Sequence, residues 1–124
     1  MKPAVKPGMV LLPRAFGSHP HVVLSEPFGS DAQVLVVNWT TLDEECVDGA
    51  CLLQGGEHPA LRHPSTMAYS RAHLWRKEKI LFAMANGAVA ELAPVSLPLL
   101  RRMVEGGRQS PELRHEWKAV LPKI

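Results

Sequence analysis

Short apolar runs separated by turn residues dominate the first part of the chain. Three of these runs predict β-strands, at residues 8–12, 21–24 and 33–41. The third run contains four consecutive aliphatic residues, 34–37, which is typical of a strand buried on both faces. Residues 26–31 (EPFGSD) have the composition of a loop. The sequence therefore predicts at least three early strands, of which the third is the best defined.

The middle of the chain gives weaker signals. A fourth apolar run at 50–53 ends at Gly55-Gly56, and a short strand with an irregular start is predicted over 66–75. Asn86-Gly87 lies between two apolar segments, which is typical of a tight β-hairpin because both turn residues must take positive φ. A helix over 77–85 fits the same residues. The sequence leaves these two alternatives open.

The apolar spacing becomes helical after Pro94. Ser96 is a suitable helix N-cap, and the helix it opens is predicted to stop at Gly106-Gly107. A second helix is predicted to begin with Ser110 as N-cap and Pro111 as its first residue, and to end at Pro122. The apolar faces of the two helices contain Leu97, Leu100, Met103 and Val104 in the first, and Leu113, Trp117, Val120 and Leu121 in the second.

Several short strands followed by two helices predict a mainly β protein with C-terminal helices. We expect residues 1–94 to form a small β-barrel domain of five to seven strands. Residues 95–124 are expected to form a helical C-terminal extension packed on that barrel.

Composition narrows the class of protein. Of 124 residues, 46% are hydrophobic and 21% are charged, which is ordinary for a globular domain and argues against disorder. No apolar run approaches the roughly 20 residues of a membrane-spanning helix, so we expect a soluble cytoplasmic protein with no membrane partner. The net charge of +2 is unevenly distributed. Residues 76–124 carry nine Lys and Arg against five Asp and Glu, so a polyanion is attracted mainly there.

Histidine is the residue type with the clearest chemical potential. Six histidines occur, and three of them, His19, His58 and His63, precede proline. Proline forces the preceding residue toward extended backbone, so these imidazoles are expected at strand ends or in turns. Imidazole acts as acid or base near neutral pH. The simpler interpretation is that each His-Pro pair only makes a turn.

The densest candidate site is the loop 55–65, GGEHPALRHPS. Cleavage of RNA through the ribose 2′-hydroxyl requires a proton acceptor, a proton donor and a fixed cation. His58, His63 and Arg62 fit these three roles. Two alternatives stay open, namely a polar connection without chemistry and a metal site on His58 and His63 with Glu57 nearby.

Short motifs along the predicted strands resemble the PemK/MazF/Kid family of toxin-like proteins. The matching segments are residues 8–10 (GMV), 18–25 (SHPHVVLS) and 36–41 (VVNWTT), and the resemblance spans about residues 8–75. It implies an SH3-like β-barrel with short helices, a homodimer, and cleavage of single-stranded RNA. Thr40 falls on the family's catalytic threonine. His19 stands where the family has a catalytic arginine, and Met9 stands where it has aspartate.

The resemblance and the histidines together predict a toxin-like endoribonuclease that cleaves single-stranded RNA by metal-independent acid/base chemistry. The expected catalytic residues are His19, Thr40, His58, Arg62 and His63. The expected substrate-binding residues are His21, Ser65, Tyr69 and Arg71. No cofactor is expected, and the expected partners are RNA, a second copy of the chain and an antitoxin protein lying across the groove.

A second interpretation belongs to a different class of protein. The barrel itself carries few cations, which favours a non-catalytic binding module for a protein or nucleic-acid partner. In that case the basic C-terminal segment is the expected contact surface.

Overall fold

The computed structural model describes residues 4–15, 18–42 and 48–124 of the chain. Its strands are β1 (Val10–Pro13), β2 (His21–Val23), β3 (Gln33–Thr41), β4 (Leu52–Leu53), β5 (Ser65–Met67), β6 (His73–Arg76) and β7 (Val89–Leu92). Its helices are α1 (Lys77–Ala85), α2 (Leu97–Gln109) and α3 (His115–Lys118), with a 3₁₀ turn at Tyr69–Arg71.

Strand β3 is the centre of the fold because it pairs with three other strands. Its residues 36–38 pair with β2 along one edge. Along the other edge, residues 33–36 pair with β6 and residues 39–41 pair with β5. All pairings are antiparallel, and the seven-stranded sheet has the order β4-β5-β3-β2-β1-β7, with β6 on β3 beside β5. A single nine-residue strand therefore holds both halves of the sheet together.

The predicted mainly β architecture with C-terminal helices is confirmed, but the described part of the sheet does not close into a barrel. Within the described ranges β6 pairs with β3 and β7 pairs with β1, and these two strands do not pair with each other. The physical reason is the connection between them. The chain passes from β6 to β7 through α1, which packs on both strands, instead of through a tight hairpin.

The two faces of the sheet are covered by different parts of the chain. Leu35 and Val37 belong to a hydrophobic cluster that includes residues of α2, and we call their side of the sheet the α2 face. Val34 and Val36 belong to a second cluster that includes Ile80 of α1, and we call that side the α1 face. The prediction that β3 is buried on both faces is confirmed, and this double burial explains its unbroken apolar run.

The open alternative at 77–87 is decided in favour of the helix. Residues Lys77–Ala85 form α1, and Asn86-Gly87 forms the turn that leads into β7. Gly87 has a φ of +83°, a backbone conformation that glycine adopts without a steric penalty. The irregular strand predicted over 66–75 is two strands, β5 and β6, separated by the 3₁₀ turn.

The first C-terminal helix, α2, begins as predicted but ends later than predicted. Ser96 caps α2 as expected, since its Oγ accepts a hydrogen bond from the backbone N–H of Leu99. The predicted stop at Gly106-Gly107 is wrong, because α2 continues through both glycines to Gln109. A Cβ on Gly106 would lie 2.6 Å from the Tyr69 hydroxyl oxygen. Glycine there permits close packing of the helix and does not end it.

The predicted start of the second helix at Ser110-Pro111 is also wrong. The hydroxyl of Ser110 donates to a carboxylate oxygen of Asp48 at 2.5 Å and accepts from the backbone N–H of Glu112. Ser110 therefore makes a buried tertiary contact, and residues 111–113 form bends. The helix α3 begins only at His115 and has four residues.

Candidate functional site

A row of side chains on the α1 face of β3 changes from apolar to polar along the strand. Side chains alternate along a strand, so Val36, Asn38 and Thr40 share one face. Residues paired in register point to the same face as their partners. His21 of β2 is paired with Asn38, and His73 of β6 is paired with Val36. Two imidazoles from different strands therefore flank one polar row, in which Asn38 and Thr40 are buried.

His21 is the centre of a group of imidazoles that we call the histidine cluster, formed by His19, His21 and His73. The Nδ1 atom of His21 lies 2.7 Å from the carbonyl oxygen of His19. A carbonyl oxygen only accepts, so Nδ1 carries a proton, and Nε2 is the acceptor of the neutral ring. The ring also packs on the indole of Trp75, with centroids 4.7 Å apart. The orientation and the tautomer of His21 are both fixed.

The surroundings of His21 favour its neutral form. Burial is the largest influence and lowers the pKa of the ring. The hydrogen bond to the His19 carbonyl acts in the opposite direction, while repulsion from His73 and His19 adds to the lowering. His19 and His73 themselves are exposed. The cluster therefore combines one half-buried imidazole that is neutral at pH 7 with two imidazoles in contact with solvent.

His58 has a different environment from the cluster. Its side chain is buried, its Nε2 lies 2.5 Å from the carbonyl oxygen of Ala93, and its Nδ1 accepts from the backbone N–H of Ala60 at 3.0 Å. Its ring packs against Trp39 with centroids 5.4 Å apart. Both ring nitrogens are therefore occupied by backbone partners, which suits a residue that fixes a loop.

The loop that contains His58 is fastened to α2 as well. The guanidinium of Arg102 bonds both carboxylate oxygens of Glu57 and donates to the carbonyl oxygen of Leu52 at 2.8 Å. The Arg102 guanidinium holds the pKa of the Glu57 carboxyl below its usual range. Arg62 and His63, the other predicted catalytic residues of this loop, have exposed side chains.

Two of the four predicted substrate-binding residues, Ser65 and Tyr69, are buried and bond backbone groups outside the cluster. The buried Ser65 hydroxyl donates to the carbonyl oxygen of His63 at 2.9 Å. The Tyr69 hydroxyl donates to the carbonyl oxygen of Met103 in α2 at 2.6 Å, and burial raises the pKa of this phenol. Arg71 is exposed on the 3₁₀ turn, and the fourth residue, His21, is the centre of the cluster.

The structure groups some of the predicted residues and separates others. Thr40 and His21 share the α1 face of the sheet, and His19 contacts His21. Trp39 and Thr40 are consecutive on β3 and so point to opposite faces. His58 packs on Trp39, which belongs to the cluster of the α2 face. The sheet therefore lies between His58 and the polar row of Thr40.

Asn38, His73 and Trp75 were not identified as site residues from the sequence. The sequence did contain a signal for His73 and Trp75. His73 and Trp75 are two residues apart in a predicted strand, so they share a face. Which face that is depends on the pairing of β6 with β3, and the sequence does not show this pairing.

Two further properties concern the residues that the structure describes. No group of three or more His, Cys, Asp and Glu side chains in these ranges is arranged to hold a metal ion. In the same ranges, no helix combines the length and the apolar character needed to cross a bilayer.

Comparisons with protein-family models, with curated proteins and with solved structures find no match to this chain. The resemblance to the PemK/MazF/Kid family therefore stays a prediction that rests on the short motifs in the sequence. The function must be inferred from the chain's own side chains.

Proposed function

We propose that this protein is an endoribonuclease that cleaves single-stranded RNA without a metal ion, and that the histidine cluster is its active site. The observation that carries the proposal is the register of β3, which sets His21 and His73 on the same face as Asn38 and Thr40. The β2–β3 pairing ends at the His21–Asn38 pair, and the carbonyl oxygen of His19, two residues earlier in the chain, lies 2.7 Å from the Nδ1 atom of His21. Acid, base and neutral hydrogen-bonding groups thus converge from two strands beside β3.

The proposed reaction uses the nucleophile that RNA itself provides. The Nε2 atom of neutral His21 takes the proton of a ribose 2′-hydroxyl, and the 2′-oxygen forms a bond to the adjacent phosphorus. The bond from phosphorus to the 5′-oxygen breaks, and that oxygen takes a proton from the imidazolium of His73 or His19. The products are a 2′,3′-cyclic phosphate and a 5′-hydroxyl end. The Thr40 hydroxyl donates a hydrogen bond to a phosphate oxygen.

The environment of each imidazole matches its proposed role. A base must be unprotonated at the working pH, and burial together with the neighbouring histidines lowers the pKa of His21. An acid must regain its proton from water after each turnover, which requires contact with solvent, and His19 and His73 are exposed. His58 takes no part in this reaction, because backbone groups occupy both of its nitrogens.

The test is an RNA-cleavage assay on a long mixed-sequence RNA in the presence of EDTA. We expect cleavage that leaves 5′-hydroxyl ends, and no cleavage of a 2′-O-methylated copy of the same RNA. His21→Asn should lower the rate by about a hundred-fold or more, as is usual when a general base is removed. A comparison of His19→Asn with His73→Asn identifies the general acid, because the variant that lacks it should lose more of the cleavage rate.

The matched control is His115→Asn, which changes an exposed histidine of the C-terminal helix α3. It should cleave RNA at the wild-type rate. Intact RNA with the wild-type protein would overturn the proposal, and so would equal rates for wild type and His21→Asn.

The cellular setting in this proposal comes from the resemblance to the PemK/MazF/Kid family. The protein cleaves single-stranded RNA in the cytoplasm, and a separate antitoxin protein that covers the histidine cluster restrains it. Expression of the wild-type chain alone should then arrest growth, and His21→Asn should relieve the arrest. Normal growth with wild-type protein present at the same level would contradict this part of the proposal.

One observation favours the second candidate, a module that binds RNA without cutting it. The hydrogen bond to His19 and the packing on Trp75 are contacts that also suit a purely structural His21. For such a module, the assay above gives intact RNA, and the RNA stays bound to the protein in a filter-binding measurement.

A further inference from the structure

A groove lies on the α1 face where the sheet fails to close. It runs between β6 on one side and the β1–β7 edge on the other, and α1 forms its third wall. Its cavity volume is about 400 Å³, within the usual range of small-ligand sites. The apolar part of the wall contains Trp75, Ile80, Ala83 and Val89.

The charge of the groove selects for an anion. Arg76 and Lys79 are among the residues that line it, and none of the described residues that line it is acidic. Neither cation has a carboxylate partner within the described residues. A ligand that fits this groove therefore combines a flat apolar body with a negative group, and a nucleotide has both.

Trp75 connects the groove to the histidine cluster. The indole lines the groove and also packs on the ring of His21. His73 lies two residues before Trp75 on the same strand and points to the same face. A base stacked on Trp75 is therefore next to the imidazoles to which the cleavage reaction is assigned.

We infer that this groove binds the nucleotide adjacent to the cleaved one, with its base on Trp75 and its phosphate between Arg76 and Lys79. The identification of the ligand as part of an RNA chain rests on the proposed ribonuclease function. The groove adds a subsite that positions the RNA. Stacking on an aromatic ring contributes affinity for every base, so the subsite accepts any of them.

The direct test is binding of nucleoside 5′-monophosphates, followed by the indole N–H signals in ¹H–¹⁵N NMR spectra. The signal of Trp75 is assigned by its loss in Trp75→Phe. We expect UMP or AMP to shift this signal in a saturable way. The same nucleosides without phosphate should bind about ten-fold more weakly. Inorganic phosphate alone should not shift the indole N–H signal of Trp75.

Two pairs of variants test the position of the ligand. Ala83→Leu fills the groove and should weaken nucleotide binding about ten-fold, while Ala85→Leu, on an exposed position of α1 outside the groove, should not. Lys79→Gln should weaken binding and reduce its dependence on salt, while Lys77→Gln, which lies outside the groove, should leave both unchanged. Circular dichroism of each variant checks that it is folded.

The outcomes separate this inference from the proposed function. Loss of nucleotide binding in Ala83→Leu, together with a raised KM for RNA and an unchanged kcat, supports the subsite. RNA cleavage by wild type without any shift of the Trp75 signal overturns the subsite and leaves the ribonuclease proposal standing. Nucleotide binding by a wild-type protein that does not cleave RNA supports the groove and overturns the ribonuclease proposal. Equal binding by Ala83→Leu and wild type overturns the groove assignment.

Discussion

The histidines of this protein differ in the groups that their two ring nitrogens contact. His58 is buried and bonds a backbone group with each nitrogen, so its ring holds the loop 55–65 in place. His21 bonds a backbone carbonyl through Nδ1 and packs on Trp75, which leaves Nε2 as the acceptor of the ring. The first arrangement fixes structure, and the second also suits proton transfer.

The lowered pKa of His21 makes part of the stability depend on pH. In the unfolded chain the ring titrates near 6.5, whereas in the folded protein it titrates at a lower pH. As the pH falls below about 6.5, the unfolded state takes up the proton first. The free energy of unfolding therefore decreases until the pH has passed the folded pKa. Urea unfolding between about pH 5 and pH 8 should show this decrease in wild type and a smaller one in His21→Asn.

The comparison variant for this measurement is His115→Asn, because its imidazole is exposed. It should follow the wild-type pH profile across the same range. If the free energy of unfolding of His21→Asn changed with pH in parallel to that of wild type, His21 would not be the source of the pH dependence.

The sequence indicated which residues could carry out chemistry, but not which of these residues lie close together in the fold. The loop 55–65 has the highest density of polar groups, yet Glu57 and His58 serve to attach it to Arg102 and Ala93. These partners are 35 or more residues away, so no local pattern reveals them. Thr40 and His21 could be related only through strand register, which the side chains of both strands determine together.

Among the elements, β3 was predictable and the C-terminal helices were only partly so. The bounds of β3 agree with the predicted 33–41 because burial on both faces leaves a strong local pattern. The end of α2 depends on a contact that the sequence does not show. A Cβ on Gly106 would lie 2.7 Å from the Cβ of Cys51 and 2.9 Å from the Ala50 carbonyl oxygen, so glycine is required for packing.

The two adjacent glycines of α2 should respond differently to substitution. Gly106→Ala should lower the free energy of unfolding by about 1–3 kcal/mol, because backbone and Tyr69 must shift to admit the methyl group. Gly107→Ala should change it by less than about 1 kcal/mol. Its methyl group meets side-chain atoms at 3.2 Å or more, and alanine also favours the helix. Urea unfolding of both variants measures the difference, and equal losses would contradict the close packing at Gly106.

At the scale of the molecule, α2 and the sheet share one hydrophobic core on the α2 face. Leu99, Leu100, Met103 and Val104 of α2 belong to the same hydrophobic cluster as Leu35 and Val37 of β3. The Tyr69 hydroxyl adds a hydrogen bond from the 3₁₀ turn to α2. The mainly β class was predictable from the order of short apolar runs. The open edge was not, because it depends on how α1 packs on β6 and β7.

A chain that ends at residue 94 should therefore not fold. It lacks four buried side chains of α2, each of which contributes about 1.5–3 kcal/mol by burial. Their sum, about 6–12 kcal/mol, is similar to the whole stability of a typical small domain. We expect an NMR spectrum without dispersed amide signals and no cooperative thermal transition. A cooperative transition in the 1–94 chain would contradict this dependence of the sheet on α2.

The position of β3 has a consequence for how the molecule opens to solvent. Hydrogen exchange of backbone amides requires that their bonds break, and a strand bonded along both edges gives up its amides only when its neighbours have separated. Deuterium should therefore enter first at β4 and β7, which lie at the ends of the strand order, and last at the middle of β3. The slowest amides of β3 then measure the global free energy of unfolding, and no smaller fluctuation exposes them.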